Sequence, residues 1–388
     1  MKTNIKKSMK NNKKKFYERW LGKIKRYPKW PFVLGGISLA VLILTKCIPI
    51  LASLYSDYIY HNIVQILSTF TGFFPFSIAE WLLYFCVTLF IIFFIRFWVL
   101  LIIKRGERKR VLKNYLHGIG CIVCLLFSIF VWFCGINYSR KDFADYIGLE
   151  KKAASATQLK ELCEYLMVQT NNARQSCGED ENGVFSYQAS TREMAKKANK
   201  AYENIAVEYE ALGGHFGLAK GIFASDKMSY TKIVGIFVPY TLEANVNQDV
   251  PKFNTPADIC HELAHLRGFM KEEEANFIAY LVCVQSEEPE FVYSGNLLAL
   301  IYAVNALGKE DSAAYEEVMG KLSQQVKADM EQEEQYWLQY EKDRAATTVA
   351  KVTDQVNDTY LKVNGISSGV KNYGEMVDLL LNWYEKNK

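Results

Sequence analysis

The chain has 388 residues, half of them apolar, and 46 Lys and Arg against 42 Asp and Glu give it a net charge of +4. That length allows more than one domain. The long apolar runs concentrate in the first 140 residues, which excludes a uniformly soluble protein.

Residues 1–29 hold twelve Lys or Arg and one acid, Glu18. Three apolar runs follow, about 30–54, 78–103 and 116–136. Each reaches the roughly 20 residues that a helix needs to cross a bilayer. Lys46 and Arg96 sit toward span ends, where long side chains can reach the interface. Lys104–Lys113 carries six more basic residues, and none lies between Lys46 and Arg96. By the positive-inside rule the N-terminus and the second loop are cytoplasmic, and the chain from about Tyr138 lies outside. Beside a membrane span, the basic N-terminus reads as a topogenic, lipid-facing segment, not a nucleic-acid site. No small-residue cleavage site follows the first span, so it is expected to be retained. Nothing after Asn137 reads as a fourth span. Cys47, Cys86, Cys121, Cys124 and Cys134 lie in or near the spans as small packing residues. Cys163, Cys177, Cys260 and Cys283 lie beyond them, where an exported domain could pair some.

The periodicity predicts helices from about Ala153 to Leu212, interrupted by a loop and stopped at Gly213-Gly214. "KIVGIFVPYTLEANVN" is β-branched and aromatic and predicts one or two strands, with Pro239 marking an edge strand or a strand end. Thr255 is an expected N-cap, with Pro256 opening the next helix. Helices then follow at about 271–285, 294–307 and 312–346, and after a turn at Asn364-Gly365 an amphipathic helix closes the chain. The architecture expected is a basic segment 1–29, a transmembrane region 30–137 with three helices, and a mainly helical (α+β) domain 138–388 with a small β-sheet.

Within "CHELAHLRGFMKEEEANFIAY", His261 and His265 are four residues apart and share one face of a helix. Two imidazoles on one face can bind one ion, and Glu262 between them can take a proton from a water that the ion activates. A catalytic zinc site needs a third protein ligand and one open position. Glu272, Glu273 and Glu274 follow in the first turn of the next helix. Glu274, next to a core-like helical run, is the expected third ligand, with Glu273 as the alternative. Glu272 and Glu273 otherwise suit a helix N-terminus. The charged flanks of the motif exclude a site inside a bilayer.

"PFSIAEWLLY", "GINYSR", "GIFVPYTLEANVN", "HELAHLRGFMKEEEANFIAYLVC" and "NDTYLKVNGISSGVKNYGEMVDLLL" together resemble a family of bacterial membrane proteins of unknown function that looks like zinc metallopeptidases. The resemblance runs from about Tyr55 to the end. HExxH followed by "EAN" also resembles the gluzincin peptidases, whose third ligand is a glutamate on the next helix. It implies a zincin-like domain with His261, His265 and Glu274 as ligands and Glu262 as general base, although Glu274 comes only nine residues after His265. Glu243, Asn245 and Asn247 would contact substrate or transition state if their strand borders the site, or else serve turn chemistry. Tyr373 and Tyr280 are candidates to stabilise the oxyanion.

The function expected is a multi-pass membrane protein with a zinc metallopeptidase domain outside the cytoplasmic membrane, with the lipid bilayer and a peptide or protein substrate as partners. A sensor or scaffold ectodomain with a structural zinc site is the other reading. An intact Glu262 favours hydrolysis, because it would be idle in a structural site.

Overall fold

The computed structural model describes residues 27–149, 155–342, 350, 351, 355 and 373–388. Most of the basic segment 1–29, the Asn364-Gly365 turn and the end of the helix expected at 312–346 lie outside the described residues. The described chain is mainly helical, with one three-stranded sheet. It forms two compact units, Met1–Val41 with Trp81–Val131, and Leu42–Glu80 with Trp132–Lys388.

The long apolar helices are α1 (Trp30–Cys47), α4 (Ile78–Ile103) and α5 (Arg108–Phe133). Between α1 and α4 lie α2 (Pro49–Leu54), a π-helical turn (Tyr55–Tyr60) and α3 (His61–Gly72). The first apolar helix stops at Cys47 and not near Leu54, because Pro49 offers no backbone N–H to continue it. α4 is about 39 Å long at 1.5 Å per residue, enough to span a bilayer core of roughly 30 Å. In the first unit Phe93 and Phe97 of α4 pack on Tyr115 of α5, at 4.4 and 4.9 Å between ring centroids. Arg96 is held by this contact too: its Nη1 donates to Tyr115 Oη at 3.3 Å.

After Phe133 the second unit continues with a 3-10 turn (Gly135–Ser139), then α6 (Phe143–Ile147), α7 (Ala156–Gln175) and α8 (Thr191–Ile205). Ser155 and Ser190 open α7 and α8 with capping boxes closed by Gln158 and Glu193. α8 ends at Ile205, earlier than the expected Leu212, and a 3-10 turn (Glu210–Leu212) fills the interval. The sheet holds β1 (Lys220–Gly221), β2 (Gly235–Val238) and β3 (Glu243–Val246), in the order β1-β3-β2; a short helix, α9 (Ser225–Ser229), lies between β1 and β2. β1 is parallel to β3, and β2 is antiparallel to it with Gly235 opposite Val246. β2 is an edge strand that stops at Val238, one residue before Pro239, as the missing N–H of proline requires.

Helices α10 (Thr255–Leu266), α11 (Glu272–Val284), α12 (Pro289–Glu310), α13 (Ser312–Gly320), α14 (Gln324–Glu341) and α15 (Tyr373–Asn387) complete the unit. Contrary to expectation, α12 also has the length and composition to cross a membrane. Most of its apolar stretch is buried, however, so its apolar character faces a protein core on several sides. Arg174 of α7 and Asp329 of α14, both fully buried, pair at 2.6 Å. Asp329 also accepts from Tyr293 Oη and the Phe185 N–H, which satisfies the buried charge.

Leu42–Glu80 groups with the chain after Trp132 because its inward residues bond there: Ser56 Oγ donates to Asn137 Oδ1 at 2.6 Å, and Glu80 accepts from the Phe223 and Ala224 N–H groups at 2.7 and 2.9 Å.

Candidate metal centre

α10 carries Asp258, His261, Glu262 and His265 on a buried helix. Its N-cap is Asn254, not Thr255, and the Thr255 hydroxyl is buried without a partner. The helix ends in a Schellman turn: the Phe269 N–H bonds the Ala264 carbonyl at 3.2 Å and the Gly268 N–H bonds the His265 carbonyl at 2.9 Å. Gly268 supplies the left-handed backbone, with φ +91°. The reversal brings the Phe269 carbonyl back over the helix, where it lies 2.7 Å from His265 Nδ1.

Both imidazoles are oriented through Nδ1. His261 Nδ1 lies 2.8 Å from Asn276 Oδ1, and Asn276 Nδ2 donates to Tyr302 Oη at 3.0 Å. With each Nδ1 taken up by these contacts, Nε2 is the ring nitrogen left on both histidines for the cluster, the arrangement a metal-binding imidazole uses. His261 Nε2 lies 3.2 Å from Glu272 Oε2, and His265 Nε2 lies 3.6 Å from Glu272 Oε1. Among the described residues, these three side chains offer donor atoms within 4.8 Å of one another. A tetrahedral ion with bonds of about 2.0–2.1 Å needs donors about 3.4 Å apart. Two imidazole nitrogens and a carboxylate oxygen are also a donor set that zinc accepts. The residues therefore fit such an ion by spacing and by chemistry.

The acid brought to the histidines is Glu272. Successive residues of a helix point about 100° apart, so only one of the three glutamates can face the cluster. Glu274, the expected ligand, turns inward, and its Oε1 accepts from the Phe143 N–H at 2.9 Å at the start of α6. Glu273, the alternative, is buried and shares a hydrogen bond with Glu375 of α15; burial and that neighbour push its carboxyl up.

Electrostatics around the cluster follow from burial and pairing. Burial lowers the His261 imidazole, but its hydrogen bond to Glu272 and the nearby carboxylates outweigh it and raise it to about 9. Burial takes His265 down to about 4. Burial opposes ionisation of Glu272, yet the two imidazoles hold it near 2. Glu262 is raised to about 8, first by burial and further by Glu272 and Asp258, and its Oε2 has no hydrogen-bond partner. Its carboxylate packs on β2, where a Cβ at Gly235 would come within 2.3 Å of Glu262 Oε1. Asp258, one turn earlier, is raised to about 7 chiefly by burial. The Glu272 side chain is 47% exposed and those of His261 and His265 only 15% and 10%, so the cluster opens to solvent on the Glu272 side.

The strand residues have other partners. Glu243 pairs with Lys220, and its carboxylate accepts from the Ile78 and Ala79 N–H groups, capping α4. Asn245 Nδ2 bonds the carbonyls of Ile236 and Glu243, and Asn247 Nδ2 bonds Ser229 Oγ at 2.9 Å. Tyr280 is buried against Trp383. Tyr373 starts α15, and its side chain lies outside the described residues. Of the site residues, Glu272 was visible in the sequence but assigned to the helix end. Asn276 stood in the quoted "EAN" without a role, and nothing local marked Tyr302 or Gly235.

A mainly helical chain with several helices long and apolar enough to cross a membrane, one of them near the N-terminus, points to a membrane-associated protein, and its second unit carries the His-His-Glu cluster. Residues 55–381 match a family described as protein of unknown function (DUF3810), and the chain belongs to that family. No curated protein and no solved structure matches it.

Proposed function

We propose that the protein is a membrane-anchored zinc metallopeptidase. α1, α4 and α5 cross the membrane, with the N-terminus in the cytoplasm and the zincin-like domain outside; α12 belongs to the domain core. The observation that carries the reading is the convergence of His261 Nε2, His265 Nε2 and the Glu272 carboxylate, with both Nδ1 atoms already hydrogen-bonded. His261, His265 and Glu272 would hold the ion. Zinc held there supplies Lewis acidity and lowers the pKa of water toward neutrality.

The other roles belong to the chain. Glu262, buried beside the cluster with one oxygen unpartnered, accepts a proton and returns it to the leaving amine. Gly235 keeps β2 close enough for Glu262 to lie against it. Among the described residues β2 has a strand partner on one side only, so an extended peptide can add to its outer edge and pass the cluster.

The test is metal content of the full-length protein in detergent. One zinc per chain is expected in wild type and in Glu274→Gln, and its loss in His261→Ala and Glu272→Ala. Glu262→Gln should keep zinc and lose cleavage of a peptide library. A folded wild-type chain without zinc, or one that keeps it in Glu272→Ala, defeats the ligand assignment.

A further inference from the structure

The helical run Pro49–Gly72 buries Ser53, Ser56 and Ser68 together with Ala52, Tyr60 and Val64, and it turns large apolar residues outward, unlike a helix on a watery surface. Inside, Ser53 Oγ accepts from the Lys141 N–H at 2.9 Å, Ser68 Oγ accepts from the Gly217 N–H at 3.1 Å, and Tyr60 Oη donates to the Leu266 carbonyl at 3.3 Å. Outside stand Ile50, Leu54, Tyr58, Ile66, Phe70 and Phe73, the last 74% exposed. Apolar positions four residues apart drift by about 40° per step around an α-helix. The π-helical turn at Tyr55–Tyr60 is wider and takes up part of that drift, so the apolar positions stay on one side.

Charge points the same way. No Lys or Arg lies between Lys46 and Arg96, and the two acids in that interval face protein. Asp57 accepts from Arg140 Nη2 and Tyr146 Oη at 3.0 and 2.9 Å, and Glu80 accepts from the Phe223 and Ala224 N–H groups. The run begins one residue after α1 and is followed shortly by α4, each long and apolar enough to cross a membrane. A chain that leaves the bilayer after Cys47 and enters again at Ile78 runs along the membrane surface in between. Aromatic side chains such as Phe70, Phe73 and Phe74 at the end of the run suit that interface.

We propose that the outer face of residues 49–76 is a lipid-binding surface lying in the membrane interface, on which the unit that carries His261, His265 and Glu272 rests. The occupant is lipid, because the chain on either side of this run is an apolar helix long enough to cross a membrane and the face carries no charge of its own. The Tyr60–Leu266 hydrogen bond ties this surface to the last residue of α10, the helix of both histidines. The proposal stands on burial and charge and holds whether or not the cluster binds zinc.

The full-length protein in phosphatidylcholine–phosphatidylglycerol vesicles tests it. A genetically encoded spin-label side chain is placed singly at position 66, 70 or 316, the last on exposed Glu316 as a control. Frequent collisions with oxygen and rare ones with a water-soluble nickel chelate are expected at 66 and 70, with the reverse at 316. Ready access of the nickel chelate to 66 and 70 puts the face in water and overturns the proposal. Exclusion of both reagents there means that a second copy or another protein covers it, and overturns it equally. Wild-type protein crosslinked to a diazirine-bearing acyl lipid reads the same face without substitution. Adducts on 49–76 are expected; adducts on α4 with none on 49–76 would refute lipid contact.

Discussion

At the scale of single residues, the cluster depends on side chains that touch no ion. Asn276 fixes the His261 ring through Nδ1. Partners of this kind are worth about 10–100-fold in metal affinity, so Asn276→Ala should weaken zinc binding by that factor in a chelator competition while the fold persists. Gly235 acts on Glu262. The 2.3 Å approach leaves no room for a methyl group, so Gly235→Ala must displace the carboxylate or the strand. A displacement on the order of 1 Å costs about 10²-fold in rate. Zinc content unchanged with peptidase activity down by about that much is the expected result, and full activity would remove Glu262 from its proposed role. The "HExxH" pair and its glutamate were legible from spacing alone, since i and i+4 share a helix face whatever the fold does. Which glutamate lies beside them was not. Glu272, Glu273 and Glu274 are chemically identical and adjacent, and the direction from which α11 leaves the Gly268 turn decides which one faces the histidines.

At the scale of elements, the Gly268 turn is the joint between α10 and α11. Its φ of +91° is costly for any residue with a Cβ, and a Cβ there would meet Arg140 Nη1 at 2.9 Å and the Tyr60 ring at 3.1 Å. Gly268→Ala should lower stability by at least about 1–2 kcal/mol, read as a lower Tm, and should loosen zinc because His265 and Glu272 lie on either side of the turn. The Arg174–Asp329 pair is a second joint, between α7 and α14. Asp329→Ala leaves a buried guanidinium uncompensated and should cost about 3–5 kcal/mol, seen in thermal unfolding, with zinc affinity little changed in the molecules that remain folded. The capping boxes at Ser155 and Ser190 and the strand end before Pro239 are local devices, and each follows directly from residue order. The length of the first apolar helix also had a local cause, Pro49, within a run that average apolarity alone carries to Leu54.

At the scale of the whole molecule, two proposals meet. If the domain is a peptidase and rests on lipid through residues 49–76, its substrates are met at the membrane surface. A peptide tethered to vesicles by an acyl chain should then be cleaved at least about 10-fold faster than the same peptide in solution, because tethering raises its local concentration. Equal rates would separate the site from the bilayer. Protease added outside intact spheroplasts should digest the domain that carries the cluster, as the basic residues at 1–29 and 104–113 require.

The sequence by itself determined the apolar helices, the sign of the charge on their flanks, the edge strand before Pro239 and the histidine pair with Glu262. Each of these is a matter of composition or of spacing within one element, and one element suffices to read it. Tertiary structure decided the rest. It brought Glu272 beside the two histidines, gave Glu274 to the N–H of Phe143, placed Gly235 against Glu262 and set α12 in a core although its composition would suit a membrane. It also turned the apolar side of Pro49–Gly72 outward. These outcomes depend on which surfaces meet across long stretches of chain, and a linear pattern carries no information about the partner that fills the other side.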